Sequence, residues 1–472
     1  MSAAAYLSKA GHEVVVVEKN KLPGGRAQVM KKKGFTFDLG PSWYLMPDVF
    51  EDFFTDFDSS VHEHYKLEQV LPSYRVFTHE TDYDVSTWPE IGELFDALDP
   101  GAGERLGKLL KKTEREYHDV RGGLLELDGL TKSQFLNPKA LKMLLKPGMR
   151  KPYHHRIAKV TNNADLQHIL EFMTVFMGGS PLSIPALYSL LSYVDMGLGV
   201  WYPMGGFGSV VKAFEKTAKK QGAAFRYGAP VSKIITTGHK VTGVQVGEEI
   251  ITCDVVVANA DYHFVETQLL ESKDQTYHEK YWEKRTLSPS AVIASIGVKR
   301  LIPELRHHNL LFDTNWDTHF SQVFDSKEWS TKPLVYVSNP SKTDPKVAPK
   351  GMENLFILAP MAAGIDPSDE QLERVVLSII GRLQEQVGYE FMNDIVVADI
   401  KAEDYFEETF NAFKGNAFGL GHTMSQSGPN RPRMQSKKLS NLYYVGQYTN
   451  PGTGVPMVVT SGKVVSRLIN EK

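Results

Sequence analysis

The chain has 472 residues, 42% hydrophobic and 23% charged, with a net charge of −3. That composition excludes a small disulfide scaffold, a disordered chain and a basic nucleic-acid binder, and its length calls for two or three intertwined domains. The single cysteine, Cys253, excludes a disulfide framework and a thiolate metal cluster, and no run approaches 18 uninterrupted apolar residues.

In chain order, Ala3 to Ala10 reads as the end of a helix with Gly11 as its left-handed cap. Val14 to Val17, closed by Glu18, reads as a buried parallel strand ending in an acid. An acid there is the ribose-binding residue of a dinucleotide βαβ unit. Gly24 and Gly25 allow backbone to approach a bulky anion, and the Arg26 fork suits pyrophosphate oxygens. Then comes the extended run G-F-T-F-D-L-G-P-S, Gly34 to Ser42.

Phe50, Phe53, Phe54 and Phe57 fall at helical spacing. They form either a core-facing stripe or the mouth of an apolar tunnel. Residues 67–90 alternate as short strands, and 91–200 read as mainly helical. Between Asp128 and Asp165 there are eight Lys or Arg and no acid, interleaved with Phe135, Leu136, Leu141, Met143, Leu144, Leu145 and Met149. That mixture suits either an interfacial membrane helix or a solvated basic face. His154-His155 and His307-His308 are adjacent pairs. Neighbours on one element diverge, so they read as surface or snorkelling histidines, and no metal site is expected.

Gly205-Gly206 precede a helix at Val210 to Lys220, and two strands follow. Cys253 to Ala260 reads as another buried strand, and Asp369 to Val387 as an amphipathic helix. The chain closes with Leu442 to Gly446, the turn Pro451 to Pro456, and a last helix from about Met457. A strand, a glycine-rich turn and a helix N-terminus make an anion site from backbone N–H groups.

These pieces, in this order and over the whole chain, resemble the bacterial-type phytoene desaturases, the carotenoid desaturase branch of the FAD-dependent amine-oxidase-like flavoproteins. The motifs that carry the resemblance are E-K-N-x-x-x-G-G-R (Glu18 to Arg26), Gly34 to Ser42, W-Y-P-M-G-G (Trp201 to Gly206), G-N-A-F-G-L (Gly415 to Leu420) and Asn441 to Pro456. The resemblance implies an α/β fold: a Rossmann-like FAD-binding domain from 1–60, 200–290 and 415–472, a mixed α+β substrate domain from 61–100 and 291–414, and a helical, membrane-associated region at 101–199. It implies non-covalent FAD and desaturation of phytoene or a related C30 or C40 polyene. It also implies peripheral attachment to the cytoplasmic side of the cell membrane, with quinone or oxygen as electron acceptor.

By the same resemblance, Gly40, Pro41 and Ser42 pass the flavin ring. The Val231 backbone meets the adenine, and Ala258 and Asn259 lie beside the pyrophosphate. Gly446 lies near the ribityl chain, and Gly454, Val455 and Pro456 face the flavin O2 edge, although Pro456 has no N–H to offer. The flavin does the chemistry, so no catalytic side chain is expected. The family also implies a strand and a glycine turn before residue 2. The sequence shows neither, which points to a shortened form of a longer chain. Other readings of the same residues are a carotenoid isomerase or terminal oxidase, a flavin amine oxidase, and a cofactor-poor relative without activity.

Overall fold

The computed structural model describes residues 1–131, 134 and 148–471. The first helix, Ser2–Lys9, ends at Ala10, and Gly11 takes a φ of 92°. Its small residues let it lie against the last helix, Val455–Asn470. The Ser2 hydroxyl donates to the Val459 carbonyl at 2.8 Å, and a Cβ on Gly462 would stand 2.6 Å from the Ala3 nitrogen. The two ends of the chain thus form one packed unit.

The strand Val15–Glu18 pairs in parallel with Ala224–Tyr227, Val15 opposite Ala224. A second parallel pair joins Val256–Ala258 to Leu442–Tyr444. Both apolar runs are less buried than their composition suggests: Val15 is 42% exposed, and residues 256–258 are only half-buried. Among the described residues each is paired on a single edge, and each lines a large cavity described below.

Seven strands form a mixed sheet in the order Ile395–Lys401, Ser290–Val298, Glu353–Met361, Val335–Ser338, His308–Leu311, Tyr74–Phe77 and Asp82–Val85. Neighbours are antiparallel except His308–Leu311 beside Tyr74–Phe77. The helix Asp369–Val387, with the bounds expected from its periodicity, packs Val375, Val376, Ile379, Ile380 and Leu383 against one face. Ser368 and Gln371 form its capping box, which satisfies two orphan N–H groups. The other face packs on helices within 91–196.

One expectation is corrected, and one open pair of readings is decided for the core. His307 and His308 are not surface residues: they are 4% and 0% exposed. Nor do their side chains diverge: the two rings stand 4.3 Å apart, at the start of a central strand whose sheet is covered on both faces. His307 Nδ1 meets the Thr343 hydroxyl at 2.6 Å, and His308 Nδ1 meets the Tyr336 hydroxyl at 2.7 Å. Burial lowers both imidazoles, His307 to about 3, so both stay neutral. The phenylalanines of the helix Pro47–Thr55, with Phe57 just beyond it, are core. All four are at most 3% exposed, Phe53 stacks on Phe214 at 4.1 Å, and none lines the cavity.

Part of the basic, apolar stretch, including Phe135, Leu136, Lys139, Leu141, Lys142, Met143, Leu144, Leu145 and Lys146, lies outside the described residues. No helix among the described residues is long and apolar enough to cross a membrane.

Candidate functional site

One continuous cavity of about 2020 Å3 runs through the molecule. Typical ligand pockets hold roughly 300–1,000 Å3, so there is room for two large ligands. All fourteen candidate binding residues line it: Glu18, Gly24, Gly25, Arg26, Gly40, Pro41, Ser42, Val231, Ala258, Asn259, Gly446, Gly454, Val455 and Pro456.

Backbone geometry explains the glycines among them. Gly24 has a φ of 112°, and a Cβ there would stand 2.8 Å from the Ala27 carbonyl oxygen. A Cβ on Gly40 would lie 1.9 Å from the Arg26 carbonyl oxygen, so the two motifs of the N-terminal stretch touch backbone to backbone. Arg26 hangs between them, with its guanidinium 5.0 Å from the centre of the Phe410 ring. Its Nη1 is buried without a partner, and burial lowers its affinity for the proton. The Glu18 carboxylate accepts from the Asn20 N–H at 2.8 Å and faces the same space.

The C-terminal motif closes the cavity from another side. Gly446, at a φ of 102°, donates its N–H to the Ser461 hydroxyl, and the Asn259 amide donates to the Val445 carbonyl. Gly454 is the N-cap of the helix Val455–Asn470, and no side chain caps that end. Its free N–H groups and positive dipole end therefore open onto the cavity.

An unpartnered buried guanidinium, a glycine pair and an uncapped helix start fit a dianionic linker between two ring systems. Ser42 begins a different kind of wall. Its hydroxyl is 2.7 Å from the Tyr336 hydroxyl, which reaches His308. Beyond it Trp43, Met173, Phe176, Ile293, Phe356 and Leu358 are apolar.

The sequence reading missed several polar residues of the site. Asp261 is 6% exposed and its carboxylate, pushed up by burial, accepts from the Tyr448 hydroxyl at 2.6 Å. His422 is 2% exposed and held neutral by burial; its Nδ1 faces the Met177 carbonyl, and its Nε2 accepts from the Thr453 N–H. The usable signal was G-N-A-F-G-L: Asn416 donates to the Tyr448 hydroxyl and accepts from the Gly419 N–H, tying that motif to the C-terminal one. Among the described residues no three His, Cys, Asp or Glu groups converge as a metal site would require.

Fold and cavity together define a flavoprotein of the two-wall type, with a nucleotide-lined part and an apolar part in one space. Residues 1–470 match the flavin-containing amine oxidoreductases, and the chain belongs to that family; its cofactor is FAD. It is 36% identical to the carotenoid 3,4-desaturase of Haloarcula japonica, over 100% of this chain and 96% of the relative. It is 31% identical to the zeta-carotene-forming phytoene desaturase of Myxococcus xanthus, over 99% and 91%. Among solved structures, an oxidoreductase from Methanosarcina mazei superposes with a TM-score of 0.63 at 18% identity, covering 100% of this chain and 97% of that one. Putrescine oxidase superposes at 0.62 and 14% identity, covering 100% and 96%. Both share the fold.

Proposed function

We propose that this protein is a carotenoid desaturase: it introduces double bonds into phytoene or a related C30 or C40 polyene, with FAD as oxidant. The observation that carries the reading is that a nucleotide-type wall and an apolar wall share one cavity of about 2020 Å3. Relatives named as desaturases of such hydrocarbons, at 30–36% identity over nearly the full chain, support it.

FAD, when bound, supplies the hydride acceptor. The chain supplies binding, orientation and dryness. Glu18 would accept from a ribose hydroxyl. Arg26 and the start of the helix Val455–Asn470 would neutralise charge on the dinucleotide, and Gly24 and Gly25 would let backbone approach it. The Val231 backbone would meet the adenine, and Ala258 and Asn259 the pyrophosphate. Gly446 would serve the ribityl chain, Gly40, Pro41 and Ser42 the flavin ring, and Gly454, Val455 and Pro456 its O2 edge. A hydrocarbon offers no polar handle, so Trp43, Phe176 and Phe356 orient it by shape and exclude water.

We place the protein on the cytoplasmic face of a membrane, where such a substrate dissolves, with quinone or oxygen as electron acceptor. The cavity wall includes Met149 and Arg150, within the basic stretch. That supports an opening towards anionic headgroups.

Expression in a phytoene-accumulating host tests the reaction. Products lighter by two hydrogens per step, with red-shifted absorbance, are expected. Geometric isomers at unchanged mass would overturn desaturation.

A further inference from the structure

A second pocket of about 400 Å3 lies beside the main cavity. The turn at Pro429 and Asn430 lines both and forms their common wall. The smaller pocket is lined by Arg285, Arg431, Arg433 and Lys437, with Tyr277 and Tyr281, and by no Asp or Glu. None of the four cations makes an ion pair with any described residue. The acid next to its rim, Asp128, is occupied by the Leu130 N–H and the Gln134 amide, and from Gly129 to Ala164 the sequence contains no other.

The interior of this pocket is built. Arg431 is 3% exposed; its Nε donates to the Thr449 carbonyl and its Nη2 to the Gln447 carbonyl, while Nη1 is buried without a partner. Arg433 donates through Nη1 to the Leu130 carbonyl, and its Nε is likewise unpartnered. Arg285 lies over the Tyr281 ring at 4.0 Å, which holds its guanidinium in place. Burial lowers Arg431 to about 10, and the groups opposing that fall are tyrosines alone, Tyr188, Tyr281 and Tyr448. Buried guanidinium groups without counter-charge are costly, and a site that keeps them is organised for an anion from outside.

We propose that this pocket binds a phosphate-class oxyanion, separate from the dinucleotide in the main cavity. Planar guanidinium forks match tetrahedral oxyanions, and the tyrosine hydroxyls at the rim can donate to the same oxygens. The phosphate can come free from solution or on a lipid headgroup.

The test uses the full chain saturated with FAD, so that the anion-binding part of the main cavity is filled. Titration calorimetry with inorganic phosphate, and separately with soluble dihexanoyl phosphatidylglycerol, is run against sodium chloride at matched ionic strength. Saturable binding is expected for at least one probe, weakened at least about tenfold in Arg433→Gln and in Lys437→Gln. Lys437 is exposed, so its variant keeps the test valid should Arg433→Gln fail to fold. Binding of phosphate assigns the free ion, and binding of the lipid alone assigns a headgroup. Absence of saturable binding by both probes, or undiminished binding in the folded variants, overturns the proposal. Flavin absorbance, read in the same samples, reports separately on the dinucleotide site.

Discussion

Arg26 shows how much one residue of the site was legible. Its place after Gly24-Gly25 is a sequence pattern, and all three line the same cavity. What the pattern could not show is why Gly40 must be small: its neighbour is the Arg26 carbonyl, across a contact that depends on the strand pair Val29–Lys32 and Phe35–Asp38. Arg26 Nη1 has no protein partner to lose. Arg26→Gln should therefore leave folding stability nearly unchanged while weakening FAD. A hydrogen bond to a charged group contributes about 1.5–3 kcal/mol, so affinity should fall roughly tenfold to a hundredfold. Fluorescence titration of flavin-stripped protein measures this. Unchanged affinity would remove Arg26 from the dinucleotide site.

Between elements, polar contacts decide what periodicity cannot. The strands and helices with clear periods, Asp369–Val387 above all, stand where the pattern put them. His307 and His308 did not: His307 precedes the strand, so alternation does not separate the pair, and the rule is silent on whether both sheet faces are covered. Asp195 is another buried polar residue. It sits on the helix Leu191–Met196, is 3% exposed, and accepts from the hydroxyl of Tyr74, tying that helix to the seven-stranded sheet. Its other carboxyl oxygen has no partner, and burial pushes its pKa up to about 7. In the unfolded chain it titrates near 3.9. The folded state thus holds the extra proton between these values, and stability falls as pH rises through that window. Three units correspond to at most about 4 kcal/mol. Asp195→Asn mimics the neutral form and removes the slope. Its stability relative to the parent should be level near pH 4 and higher by about 1–4 kcal/mol at pH 8, measured by urea unfolding at both pH values. An unchanged difference across that range would show that Asp195 does not carry the proton.

At the scale of the whole molecule, the cavity is assembled from segments some 400 residues apart, and the motifs at both ends foretold that. The apolar wall was not foretold: Ile293, Tyr336, Phe356 and Leu358 come together only through strand register in the large sheet. Strand order leaves little trace in a chain whose strands are apolar on both faces. The proposed membrane contact would account for both the basic stretch and the position of Arg150 on that cavity, since a hydrocarbon drawn from lipid would then reach the cavity without crossing water. Each lysine or arginine near an anionic surface contributes about 1 kcal/mol. Neutralising Lys139, Lys142, Lys146, Arg150 and Lys151 together should lower partitioning onto phosphatidylglycerol vesicles by at least a hundredfold, roughly 3 kcal/mol or more. Flotation with the parent and the fivefold variant reads this, and salt should reproduce the loss in the parent by screening the same charges. Activity on substrate dissolved in detergent should persist in the variant, because the apolar wall itself is untouched. Equal flotation of the two proteins would assign the membrane contact to a different surface.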